Sequence, residues 1–490
     1  MKAKLLGQKR VWLLVFPFVF VGIVGARADI RLGENFSMTG FVRHELGVHT
    51  ASRNPNNDQD DNNSINLSRT FFQTEWTYMP SDMLKVFAKA RLIHDQTEQL
   101  DDELKDYDAF PLSTPRYGSN LRANNDDDFA AELWELYAEV DTGDLWLRLG
   151  KQQIVWGEMI GTRIMDIINP LDMSWNLLFE PEEFENIRIP QWAVRAIYNV
   201  EQTAIPWLMD ISLEGFINPG DISPTVYPDY GAPFNLFPQF PPFLAFNDKD
   251  RRGDEEFGFR AGARIGNFYG TLNYMHLFTD DYLLDFTGVS FGGPFGFMIN
   301  MDAEYPTLDI FGLTINYATP SPLNTVVTLE GTYSPNQPYQ DANAPLMMGD
   351  PIARIKDEAT FNWAIRFDRN TFVLPRPTSA MRIQLQFSQA VVKNHEDVLG
   401  QNNSKIDSTT DTIVLMLAQP LRHDTLEPSL QVVYDLDGAY LIKPAVRYRY
   451  GNRWFFDLFG IGVGGSEDRP GRFGAMDWAD EIVGRATFQF

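Results

Sequence analysis

The sequence predicts an all-β fold: a closed antiparallel transmembrane β-barrel of about sixteen to eighteen strands with one loop folded into its lumen. Three observations predict it. The chain opens with an export leader, continues in segments of alternating apolar and polar side chains, and stops on Phe490 inside a last strand.

The leader comes first. Lys2, Lys4, Lys9 and Arg10 precede an apolar run from Val11 to Gly25, and Ala26-Arg27-Ala28 has the small-x-small pattern of a signal-peptidase site. A membrane helix needs about 20 apolar residues, and this run is shorter. Residues 1–28 therefore read as a signal peptide cleaved near Ala28-Asp29, and 29–490 as a single exported domain. No later apolar run reaches membrane-helix length. The chain has no Cys, which excludes disulfides and thiolate chemistry, so its stability must come from backbone pairing and burial. A net charge of −25 argues against nucleic-acid partners, which need basic patches.

The alternating segments follow. In 190–200, Trp192, Val194, Ala196, Tyr198 and Val200 share one face, while Gln191, Arg195 and Asn199 share the other. In 360–369, Phe361, Trp363, Ile365 and Phe367 oppose Asn362, Arg366 and Asp368. In 380–389, Met381, Ile383, Leu385 and Phe387 oppose Arg382, Gln384, Gln386 and Ser388. Segment 439–450 sets Tyr440, Ile442, Val446, Tyr448 and Tyr450 against Lys443, Arg447 and Arg449. The charged face cannot meet lipid, because an Arg at mid-membrane costs roughly 2–4 kcal/mol on a barrel's outer surface. The apolar face is rich in Trp, Tyr and Phe, as membrane girdles are. Lipid is thus expected outside and water inside.

Eighteen such segments run from 34–50 to 481–490, and sixteen remain without the weaker ones near 208 and 453. Both counts are even, as single-chain bacterial barrels require. Tight connections at 141–144, 265–268 and 435–438 are expected as periplasmic turns, and the long ones as extracellular loops. The acidic "NNDDD" at 124–128 carries oxygens that suit Ca²⁺ but lacks EF-hand spacing, so a solvated loop is favoured over a Ca²⁺ site and no cofactor is implied. The Pro-aromatic stretch inside 219–254 reads as loop packing or a cap on the barrel mouth. In the last strand, Ile482, Gly484, Ala486, Phe488 and Phe490 share a face. Its terminal aromatic is similar to the signal that the barrel-assembly machinery reads.

One connection does not fit a simple loop. Residues 157–189 carry Met159, Ile160, Ile164, Met165, Ile167, Ile168 and Leu171 beside Glu158, Asp166, Asp172, Glu183 and Glu185. That is far longer than an ordinary turn and too apolar to float in solvent. It can bury that surface by packing on other loops or by folding inward as a constriction, and the inward fold is the expectation. Its acids would then pair with a basic wall built from Arg148, Arg195, Arg366, Arg382, Arg447 and Arg449.

The same region resembles a known family. Gly150-Lys151-Gln152, Trp156-Gly157, Asp166-x-x-Asn169-Pro170-x-Asp172 and Arg188-Ile189-Pro190 match the signature of the bacterial outer-membrane family labelled domain of unknown function 1302. A similar signature occurs loosely in alginate-export and capsule-surface barrels. The resemblance implies an outer-membrane barrel of a Gram-negative bacterium with a transport role often linked to hydrophobic compounds. The matched Asp166, Asn169, Asp172 and Arg188, with Arg163 and Glu183, are the candidate constriction residues.

The expected function is a channel for small, amphipathic or anionic solutes, in contact with outer-membrane lipid and lipopolysaccharide. The alternative is a non-conducting surface binding barrel or an outer-membrane partner of an inner-membrane exporter. The six His residues fall in no zincin pattern, and no Gly-x-Ser-x-Gly elbow occurs, so an enzyme is not expected.

Overall fold

The computed structural model describes residues 30–50, 54, 64–101, 104, 122–126, 128–174, 184–200, 205, 207–220, 223–235, 243–248, 255–292, 296–343, 354–373, 379–400, 405–465, 473 and 476–490. The expected leader and Glu183 lie outside the described residues.

Eighteen strands form the wall. The first six are β1 Phe36–His49, β2 Ile65–Ser81, β3 Leu84–Asp95, β4 Phe129–Asp141, β5 Leu145–Gln152 and β6 Gln191–Val200. Next come β7 Met209–Asn218, β8 Glu256–Ile265, β9 Phe268–Phe278, β10 Thr307–Ala318, β11 Thr325–Asp341 and β12 Ile355–Thr371. The last six are β13 Met381–Val392, β14 Thr409–Ala418, β15 Leu426–Asp435, β16 Tyr440–Tyr450, β17 Trp454–Gly464 and β18 Glu481–Gln489. Each pairs antiparallel with its successor, and β18 closes on β1 from Phe41↔Gln489 to His49↔Glu481. Closure leaves the wall without an edge, which is what a sheet in lipid requires.

Alternation decides the two faces, because successive side chains on a strand point to opposite sides. Outward positions such as Val194, Tyr198, Leu272, Phe361, Leu385 and Leu458 are exposed and apolar. Inward neighbours such as Arg485, Thr328, Glu330, Gln386 and Ser388 are buried. Phe490 extends the β18–β1 pairing through a backbone exchange with Gly40, and its ring stacks on Phe72 at 6.0 Å. It lies on the apolar outside with Phe488, whose ring is 4.9 Å from Trp454.

Two expectations are corrected. From the sequence, alternation over 144–156 predicts a strand running to Trp156, but the strand ends at Gln152. The tight 435–438 turn joins β15 to β16 at the end that carries the long connections, opposite the 141–144 and 265–268 turns. Strand parity sets the end, whatever the length of the connection. Beyond the wall, Leu283–Phe291, Phe297–Glu304 and Leu244–Asp248 form a small sheet around Ile299 and Met301.

Candidate functional site: a loop across the lumen

The site begins where β5 stops. Gly150 has φ +135°, and a Cβ there would sit 2.3 Å from the Leu136 carbonyl oxygen, so only glycine lets the chain turn off the wall. Gln152, fully buried, donates to the Ala193 carbonyl at 2.9 Å and secures the β5–β6 seam. Gln153 then donates to the Glu185 and Arg188 carbonyls at 2.6 and 3.0 Å, tying the outgoing limb to the returning one.

Asn169 is the centre of this base. Its side-chain oxygen accepts the Ile154 N–H at 2.7 Å, and its amide donates to the Ile189 carbonyl at 2.9 Å. The Asp166 carboxylate takes the Arg188 guanidinium at 2.9 and 3.1 Å. Arg163 donates to the Asn169 carbonyl at 2.6 Å. Asp172, buried, accepts from the Ser174 backbone and hydroxyl, and Leu171 bridges Arg188. Trp156 donates from its indole to Glu214 at 2.7 Å and meets Phe216 edge-on at 5.3 Å. Gly157 must be glycine, since a Cβ there would lie 2.4 Å from the Asp166 nitrogen.

Beyond this base the chain crosses the lumen. Glu158 donates its backbone N–H to Glu330 on β11 at 2.5 Å and accepts from Asn316 on β10 at 2.9 Å. Gln386 on β13 holds the tip with a two-way amide: it accepts the Ile160 N–H at 2.8 Å and donates to the Ile160 carbonyl at 2.8 Å and the Thr162 hydroxyl at 2.7 Å. Gly161, with φ +68°, approaches Val414 on β14 so closely that a Cβ would be 3.0 Å from its methyl. β14 stands opposite β5 in a wall of eighteen strands, so the loop spans the lumen.

Burial follows the crossing. Ile154, Trp156, Ile164, Met165 and Ile168 pack on Phe216, Met275, Leu308 and Ile310 along one arc of wall. Leu171, Met173 and Ile187 join a second cluster with Val414, Leu441, Phe459 and Val483 on the other arc. A second segment doubles the partition: Val226 pairs with Leu171 and Met173 through hydrogen bonds of 2.9 and 2.7 Å, and Phe234 joins the second cluster.

Two chambers are found among the described residues, one on each side of the tip. The inner one, about 690 Å³, lies toward the short connections and touches Ile160, Arg382, Lys443 and Arg447. The outer one, about 340 Å³, lies toward the long connections and touches Arg163, Ile164 and Ile167. No residue lines both.

The charges do not pair as the sequence suggested. Wall arginines find carboxylates on the wall: Arg148 with Glu139, Arg195 with Glu214 at 2.7 Å, Arg366 with Asp368 at 2.7 Å, Arg382 with Glu427, and Arg447 with Asp457 at 2.6 Å. The loop's Asp166 is held by the loop's own Arg188. Glu185 does reach a wall base, Lys89, at 3.9 Å, but from an exposed position. Neighbouring strands supply a nearer carboxylate than the loop can, so the loop is anchored by its backbone amides and apolar side chains.

A family model for proteins of unknown function, DUF1302, matches residues 25–490. The chain belongs to that family. Among solved structures, OccAB3 of Acinetobacter baumannii is 8% identical with a TM-score of 0.49, over 93% of this chain and 99% of that one. OccAB4 of the same organism is 9% identical with a TM-score of 0.49, over 93% and 98%. OmpF of Salmonella typhi, in complex with daunomycin, is 10% identical with a TM-score of 0.41, over 94% and 100%. No curated protein matches the sequence.

The candidate residues of this DUF1302 chain separate into two groups. Arg163, Asp166, Asn169 and Arg188 meet at the loop base with Asp172 beside them. Arg148, Arg195, Arg366, Arg382 and Arg447 are spread around the wall, and Arg449 lies over the Phe455 ring near the short connections. Sequence reasoning missed Glu330, Gln386, Asn316 and Ser388, which receive the tip. As single inward polar residues on ordinary strands they carry no local signal.

Proposed function

We propose that this DUF1302 protein is an outer-membrane channel for small solutes, narrowed by the segment 157–189. The carrying observation is the tip anchored on Gln386 and Glu330, with a separate chamber on each side of it. A barrel of this strand number encloses room for an aqueous path, and a loop across it selects what passes. Among the expected solute classes, the paired wall arginines favour amphipathic molecules over simple anions. Outer-membrane lipid surrounds the apolar face, and Phe488 and Phe490 present the aromatic end to the assembly machinery.

Planar-bilayer conductance tests the reading. Deleting residues 160–187 should raise single-channel conductance severalfold while the barrel stays folded. The apolar clusters around the loop favour a second reading, a plugged barrel that binds at the surface or serves an exporter. In that case the deletion lowers ligand binding and conducts no better than the wild type.

A further inference from the structure

The inner chamber carries charges that strand register sets in a row. Glu427 on β15 is the pairing partner of Arg447 on β16, Arg447 of Asp457 on β17, Asp457 of Arg485 on β18, and Arg485 of Glu45 on β1. Arg382 on β13 extends the row at its other end. Its register partner on β14 is the small Ala418, and its guanidinium reaches past that strand to Glu427. Signs therefore alternate from Arg382 to Glu45, with side chains directly opposite each other about 5 Å apart at their Cβ atoms.

Burial divides this row. The Arg485 and Glu45 side chains are 5% and 9% exposed and pair with each other at 2.8 Å. Those of Arg382, Arg447 and Glu427 are 54%, 35% and 23% exposed, and all three line the chamber of about 690 Å³. A solute entering from the short connections meets an acid flanked by two bases, each with surface in water. Ile160 of the loop tip and Met416 on β14, both half-buried, give the same chamber an apolar patch.

Alternation disfavours a solute with a single charge. An anion drawn to Arg447 would lie close to Glu427 and Asp457. A cation drawn to Glu427 would lie between Arg382 and Arg447. A head that carries both charges meets an opposite charge at each end.

We propose that the inner chamber binds a small amphipathic zwitterion, its ammonium on Glu427, its carboxylate on Arg447 and Arg382, and its apolar body toward Ile160 and Met416. This deepens the channel reading, on which it rests for its place along a transport path, by naming the head group of the solute held below the loop.

Titration calorimetry on the full detergent-solubilised protein tests it, with norleucine, hexanoate, hexylamine and glycine as probes and empty micelles as the blank. Norleucine should bind saturably. Hexanoate and hexylamine, each with one of its charges, should bind roughly fivefold more weakly, the worth of one exposed ion pair. Glycine, the same head without the side chain, should bind roughly tenfold more weakly, because the patch covers only part of an apolar body. Glu427→Gln should weaken norleucine and strengthen hexanoate by about fivefold each, so that hexanoate overtakes it; a merely structural role would weaken all the probes alike. Arg382→Gln should do the same in favour of hexylamine. The proposal is overturned if hexanoate, hexylamine or glycine binds as well as norleucine, or if Glu427→Gln leaves the order of the probes unchanged. Conductance of the same preparation separates the two readings. Saturable norleucine binding without conductance keeps the site and removes the channel; conductance without saturable binding does the reverse.

Discussion

The base and the tip of the lumen loop are held in different ways. At the base, partners lie close in sequence: Asn169 to Ile154 across 15 residues, Asn169 to Ile189 across 20, and Asp166 to Arg188 across 22. At the tip, Glu158 meets Glu330 across 172 residues and Ile160 meets Gln386 across 226. The base is a self-contained knot that any barrel with this motif could carry. The tip depends on one particular point of the opposite wall. One end of the loop is thus fixed within its own segment, and the other is held to the far wall by a few hydrogen bonds.

Breaking the base should have the largest effect. Asp166→Ala leaves the Arg188 guanidinium without its carboxylate in a largely buried site, a change worth about 3 kcal/mol. Tryptophan-monitored unfolding in lipid vesicles should shift by that order, and the loop should become protease-sensitive. If stability and protection stay at wild-type values, the base is not the anchor.

Releasing the tip should cost no more stability than breaking the base, and it should change conduction. Gln386→Ala removes three hydrogen bonds to Ile160 and Thr162, each worth about 1 kcal/mol, from one spot on an intact wall. Single-channel records should show added brief openings of higher conductance, with thermal unfolding shifted by at most about 3 kcal/mol, the sum of those bonds. Records identical to the wild type would mean that the tip stays in place without Gln386.

The smallest effect belongs to a contact that touches neither end. Lys356, at the start of β12, donates to Asp397 in the loop after β13 at 2.9 Å and holds its carboxyl below the usual carboxylate range. A depressed acid stabilises the fold above its unfolded value, near pH 4, and that help fades as pH falls further. Side-chain carboxyl titration by NMR should place Asp397 low, and Lys356→Met should return it to the ordinary range. Because the pair is solvent-exposed, conductance between neutral and mildly acidic pH should be the same in both proteins.

The faces of the wall were legible because alternation is a local property: Val194, Tyr198 and Phe361 point outward for the same reason that Arg195 and Arg366 point inward. The loop was legible because a segment of over thirty residues, rich in apolar and charged side chains, cannot serve as a turn. Its base was legible as a motif, and the structure explains the motif through Gly150, Gly157, Asn169 and the Asp166–Arg188 pair. The pairing of the wall arginines was not, because it depends on register: Arg148 sits across from Glu139 only when β4 and β5 align as they do. The end at which 435–438 lies depends on counting every strand before it.

The sequence by itself therefore determined a barrel, its lipid and lumen faces, and a long segment that had to be buried inside, since each follows from side-chain pattern over short stretches. Only the tertiary structure decided where that segment lands and what it leaves open. Gln386, Glu330 and Ser388 become neighbours of the loop only once eighteen strands have closed in register and brought opposite walls together.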